Sequence, residues 1–165
     1  MSDENKKVTG FKVPTRLDYT IGAGVARGRF LKAIKEGRII GQRCPATKKV
    51  YVPPRGPSPV TGTEMTEEVE LPAQGIITTF CIVNVPFPGQ KMEIPFLAAS
   101  ILLDGSDIPM LHLIGDCELS DVRMGMRVKA VWRPKEEWDY TTENIKYFSP
   151  TGEPDAPFEL YKEHL

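Results

Sequence analysis

The chain has 165 residues and a formal net charge of -1, from 21 basic and 22 acidic side chains. That length suits one domain with its own hydrophobic core, or one domain with a small appendage. The balanced charge argues against a protein whose main work is neutralising phosphates, and three widely spaced cysteines, Cys44, Cys81 and Cys117, imply no disulfide framework.

The opening MSDENKKVTG is polar and charged, without an apolar core of signal-peptide length, and residues 1–10 read as a mobile tail. No later apolar run approaches the length that spans a bilayer, so a cytoplasmic protein with no membrane partner is expected. Residues 11–20 (FKVPTRLDYT) look extended, with Pro14 disfavouring helix. The following AGVARGRFLKAIKEGR predicts a short amphipathic helix over 23–36. Val25, Phe30, Leu31 and Ile34 share one face, basic residues lie elsewhere, and Gly37 forms the stop.

After the helix the pattern shifts to period two. Strands are expected at 38–43, 67–71, 75–85, 95–103, 110–114 and 126–133. Turn signals at 86–89, 104–106 and 115–116 separate the later ones, which read as a small antiparallel sheet or barrel. The closing SPTGEPDAPFELYKEHL is either a disordered tail or an arm whose apolar residues, Phe158 and Tyr161 among them, dock onto a partner.

Residues 44–62 (CPATKKVYVPPRGPSPVTG) have the spacing of two zinc knuckles. A structural zinc ribbon presents two cysteine pairs spaced C-x2-C. Here the four positions hold Cys44, Thr47, Ser58 and Thr61. Neutral hydroxyls are poor ligands for an ion that favours thiolate and imidazole, so no metal is expected. The prolines stiffen the loop without one. A proline-rich surface hairpin with no zinc ancestry fits the spacing equally well.

The order of these features carries a resemblance. A helix leads into GRIIGQRCPATKKVYVPPRGPSPVTG, a barrel-like strand pattern follows, and GMRV opens the strand GMRVKAVWRP, read as the last of the barrel. Across residues 20–148 this resembles the zinc-ribbon/OB-fold family of acyl-CoA-associated proteins, with Thr47, Ser58 and Thr61 departing from the family's four cysteines. The resemblance implies a mainly β fold in four parts. These are an N-terminal tail and helix (1–37), a degenerate rubredoxin-like ribbon hairpin (38–64), an OB-fold antiparallel barrel (65–148) and a C-terminal tail (149–165). It also implies a small non-catalytic subunit beside a thiolase-like or condensing enzyme, an acyltransferase, or a retro-aldolase of steroid side-chain breakdown. Such a subunit shares acyl-CoA with its partner.

Thiolase-type catalysis needs a nucleophilic cysteine beside a histidine base. Cys81 sits in the apolar ITTFCIVN and reads as a buried structural thiol. Cys117 has acidic neighbours that raise its pKa. Cys44 reads as the best-exposed thiol and a relic ligand, and His112 as a core or sheet-face residue. No catalytic residue is expected. Candidates for the CoA phosphates are Arg43, Lys48, Lys49 and Arg55 around the ribbon, and Arg127, Lys129 and Arg133 on the 126–133 strand; a solvated charged face fits each as well. Phe30, Tyr51, Phe158 and Tyr161 are candidates for docking the partner. Two competing functions remain: an OB module for single-stranded nucleic acid, with only 8% aromatic residues to stack bases, and a stand-alone acyl-thioester enzyme.

Overall fold

In the computed structural model, all residues are described except 1–6, 8, 88 and 91. Most of the expected tail at 1–10 therefore lies outside the described residues. Among the described residues one α-helix, α1 (Gly24–Lys35), precedes eight strands: β1 (Ile39–Arg43), β2 (Val50–Tyr51), β3 (Glu67–Leu71), β4 (Gln74–Val83), β5 (Phe96–Leu103), β6 (Met110–Ile114), β7 (Arg127–Trp132) and β8 (Ile145–Pro150). The expected helix and six expected strands are all present, with ends within two residues of the sequence reading.

Phe30, Ala33 and Ile34 recur at helical spacing, and all three are buried. Gly37 ends the helix with φ +79°, and Arg38 N donates to Ala33 O at 2.9 Å. A Cβ at Gly37 would sit 2.8 Å from the Trp138 ring, so the stop also admits an indole that clamps the helix. Val25 departs from its expected place: it is exposed, one turn before the buried stripe begins.

β2-β1-β3 form a three-stranded antiparallel sheet, the body of the ribbon. The other five close into a barrel in the order β4-β5-β6-β8-β7, the strand order of an OB-fold. Close packing at its corner needs Gly75, where a Cβ would lie 2.2 Å from Leu102 O. Helix, ribbon and barrel share one core: Phe30 and Ile34 from α1, Val50 and Val52 from the ribbon, and Ile77, Ile101, Val128 and Phe148 from the barrel.

The structure corrects two boundaries. The last barrel strand is β8, not 126–133, and it runs to Pro150, past the expected barrel end. The segment after it lies against this chain's own barrel. Tyr161 packs on Ile76 and Leu102, Ala156 N donates to Gly125 O at 2.8 Å, and Asp155 pairs with Arg123 at 2.8 Å. No helix among the described residues is long and apolar enough to cross a membrane.

Candidate functional site

A groove of about 640 Å3 lies on the outer wall of the barrel. Ligand pockets span roughly 300–1,000 Å3. Alternation along the strands builds its floor. Leu97, Ala99 and Ile101 point into the core, so Phe96 and Ala98 point out; Met110 and Ile114 point in, so Leu111 and Leu113 point out. Ala98 is directly opposite Leu113, which makes the floor a continuous apolar strip. His112, Arg133, Thr142, Glu143, Ile145 and Lys146 complete the lining, with Met92 reaching in from the β4–β5 connection. Strands β5 and β6 are the second and third of the barrel, the face that OB-folds use for ligands.

Two features flank the groove. β4 and β5 pair as a hairpin as far as Val83 and Phe96, and Phe80, Ile82, Val85, Phe87, Met92 and Ile94 on it and its connection are exposed. Isolated apolar residues on a surface are ordinary, but this many on one hairpin mark an interaction surface. On the other side, His112 Nδ1 accepts from Leu113 N at 2.9 Å, which directs Nε2 toward Thr142 O at 3.5 Å. Burial holds the imidazole pKa below its usual value, against the bond to Thr142 O. The neutral form is favoured in the fold, so the unfolded chain binds the extra proton. This contribution is fully present above the unfolded pKa of about 6.5 and is lost as pH falls toward the folded value. Urea titrations from pH 8 to pH 5 should show a stability loss that His112→Gln reduces; an identical profile in the variant would remove His112 as the cause.

The ribbon keeps the backbone of two knuckles. Cys44 O accepts from Lys48 N at 2.9 Å, and Cys44 N donates to Lys49 O at 2.9 Å. At the same offsets, Ser58 O accepts from Gly62 N at 2.9 Å and Ser58 N donates to Thr63 O at 2.7 Å. Lys48 has φ 62° where the second knuckle has Gly62 at φ 71°. Cys44 Sγ accepts from Thr47 N at 3.4 Å, and Ser58 Oγ from Val60 N and Thr61 N, each at 3.4 Å. Hydrogen bonds from the Ser58 and Thr47 side chains draw the Cys44 thiol down to about 6, against the effect of burial. Thr61 Oγ1 turns away to Thr63 Oγ1 at 3.1 Å. One thiol and three hydroxyls do not fit a structural zinc ion.

Of the seven cationic candidates, only Arg133 lines the groove; its Nε donates to Glu143 O at 2.8 Å. Arg127 is a correction: its guanidinium binds Asp104 through two bonds of 2.7 Å and Glu153 at 3.3 Å, which leaves little of it for a phosphate. Arg43 is likewise engaged, by Glu67 at 2.9 Å and Lys48 O at 3.2 Å. Lys48, Lys49 and Lys129 are exposed outside the groove lining, and Arg55 stacks over the Tyr51 ring at 5.8 Å.

Three docking candidates are corrected as well. Phe30 is 1% exposed and Tyr51 2%, because both are core residues, and Tyr161 is spent on this chain's own barrel. Phe158 remains exposed. The cysteines also change places. Cys44 is fully buried with Tyr51 and Met65, whereas Cys81 is exposed on a part of β4 where its neighbours Phe80 and Ile82 are exposed too. Cys117 has a raised pKa from burial and from Asp121, Asp116 and Glu118, in line with the sequence reading. Lys146 escaped notice. Its signal was the alternation in NIKYF, where Ile145 is buried and Lys146 faces out.

Comparison with known proteins adds to this geometry. The ChsH2 rubredoxin-like zinc ribbon domain matches residues 31–58, and the ChsH2 C-terminal OB-fold domain matches residues 68–133. A DUF35 domain-containing scaffold protein of Methanocaldococcus jannaschii is 33% identical over 103 residues, 61% of this chain and 72% of the relative. One from Pyrococcus furiosus is 28% identical over 102 residues, 62% of this chain and 74% of the relative. In fold, the chain is similar to one described as the Ltp2-ChsH2(DUF35) aldolase, with TM-score 0.59 and 22% identity, over 77% of this chain and 95% of that one. A DUF35 protein of unknown function from Sulfolobus solfataricus gives TM-score 0.54 at 17% identity, over 74% and 82%. With both domains matched in order and the Methanocaldococcus relative covered over most of its length, this chain belongs to the DUF35 family of zinc-ribbon and OB-fold proteins.

Proposed function

We propose that this chain is a non-catalytic accessory subunit of a thiolase-like enzyme and that its groove forms part of the passage for acyl-CoA. The observation that carries the proposal is the groove: an apolar strip with Arg133 and Lys146 in its wall, beside an apolar hairpin left uncovered. A pantetheine arm and acyl chain favour such a strip, and the nucleotide phosphates favour the two cations. The exposed hairpin suits a protein partner. Likeness to DUF35 scaffold proteins, and in fold to the Ltp2-ChsH2(DUF35) aldolase, supports a thiolase, condensing-enzyme or retro-aldolase type of partner.

The groove lining contains one histidine and no cysteine, so a thiolase-type nucleophile belongs to the partner. Phe96 is the one aromatic residue in that lining, which favours an acyl thioester over a single-stranded nucleic acid that stacks successive bases. The ribbon works here without metal, as a hydrogen-bonded hairpin.

Co-expression with the thiolase-like proteins encoded beside this chain should yield a stable complex that binds acyl-CoA. Arg133→Ala combined with Lys146→Ala should raise the acyl-CoA Kd by about 10- to 100-fold, as expected for two charged contacts, while the complex still forms. An unchanged Kd would place the phosphates elsewhere. A chain that remains alone in every co-expression would remove the accessory role.

A further inference from the structure

Residues 9–22 lie along no other part of the chain. Among the described residues, no backbone hydrogen bond reaches them, and the one side-chain bond is the Arg16–Asp18 pair. Their sequence is nevertheless patterned. Phe11, Val13, Leu17, Tyr19 and Ile21 all occupy odd positions, and Lys12, Pro14, Arg16, Asp18 and Thr20 the even ones. In an extended chain, odd and even side chains point to opposite sides. One side is therefore apolar along its length except at Thr15, and the other is polar. The five apolar side chains are between 63% and 86% exposed.

Such alternation is the mark of a half-buried strand, and here neither half of its requirement is met. The apolar side has no cover and the backbone groups have no ladder. A sheet edge satisfies both at once. The size is also right: five large apolar side chains offer on the order of 600 Å2, most of the ~800 Å2 that each partner contributes to a standard interface.

We infer that residues 11–21 are a strand donated to a partner protein, added to an open sheet edge with the odd side chains laid on that partner's apolar face. The occupant is the enzyme subunit of the complex proposed above, so the inference rests on that reading. Pro14 lacks a backbone donor, which suits the outermost position in a sheet and discourages a further strand from adding.

The test uses the full chain, alone and co-purified with the thiolase-like protein encoded beside it, followed by amide hydrogen exchange. Amides of 11–21 should exchange within the first time point in the free chain and be protected in the complex. Leu17→Asp and Tyr19→Asp should each weaken the complex by at least ~30-fold, the scale of a buried anchor. Arg16→Ala and Thr20→Ala, on the polar side, should change it little. These side chains pack against nothing in the chain, so folding is unaffected.

A complex that forms with the arm still exchanging freely overturns strand donation and leaves the accessory role standing. Equal losses from odd and even positions overturn the strand geometry. Protection in the free chain means that the arm covers this protein or a second copy of it, which overturns the assignment to the enzyme. If no complex forms at all, the accessory role fails and the inference fails with it.

Discussion

Phe30→Ala should destabilise the chain by about 3–5 kcal/mol in equilibrium urea unfolding, the range for emptying a buried aromatic site. Phe30 is 1% exposed and joins the helix to both halves of the fold, since its cluster includes Val50 and Val52 of the ribbon and Ile77 of the barrel. A stability of 5–15 kcal/mol is typical of a domain, so a loss of this size leaves a small margin. Phe30→Leu keeps most of the volume and should lose much less. This pair separates core from interface. A docking residue would weaken the complex and leave unfolding unchanged, whereas a core residue lowers the unfolding midpoint of the isolated chain. Near-wild-type unfolding of Phe30→Ala would return this side chain to the partner surface.

The second large effect is a gain. Replacing Thr47, Ser58 and Thr61 together by cysteine should create a site for one zinc ion per chain, while the natural chain binds essentially none. The knuckle backbones are already shaped, with matching hydrogen bonds at Cys44 and Ser58 and the amides placed for thiolates. Only the donor atoms are missing. At free zinc a thousandfold above Kd, binding to the native state adds about 4 kcal/mol. For a chain of this size that corresponds to roughly 8–16 °C in Tm. Elemental analysis gives the stoichiometry, and a chelator should reverse the Tm gain. Near-stoichiometric zinc in the natural chain would overturn the metal-free ribbon. A triple variant without zinc would show that the four positions do not converge.

Much of the fold was legible because alternation is a strong signal. Val128 is buried and Lys129 exposed, as the pattern RVKAVW requires, and the strand at 67–71 was placed to the residue. β8 was not legible as the closing strand. Its six residues end in Pro150, and its alternation weakens after Phe148, so it reads like the start of a polar tail. Helical spacing correctly put Phe30 and Ile34 on one face. Periodicity tells which face is covered but not by what, so Phe30 was assigned to a partner when the cover is this chain's own barrel. The exchange of Cys44 and Cys81 is again a matter of cover: Tyr51 and Met65 close over Cys44, while β4 around Cys81 is open on both faces, with Phe80 and Ile82 exposed as well.

The site was less legible because it is assembled from distant pieces. Met92, Leu111, Arg133 and Lys146 come from four stretches that only barrel closure brings together. Charge density pointed to the ribbon and to Arg127, but Arg43 and Arg127 are balanced by carboxylates across a strand or loop, and Lys48, Lys49 and Arg55 lie outside the groove lining. A formal charge in a sequence says nothing about whether its neighbour in space has already neutralised it.

The barrel is closed by two unequal joins. β4 and β7 are paired at three positions, Gln74 with Lys129, Gly75 with Val128 and Ile76 with Arg127, whereas β6 and β8 meet at Ile114 and Phe148 alone. The groove straddles the weaker join, with Leu111 and Leu113 on one bank and Ile145 and Lys146 on the other. Backbone pairing therefore ties the barrel wall least where the groove lies, and the side-chain packing of Ile114, Ile145 and Phe148 holds that seam instead.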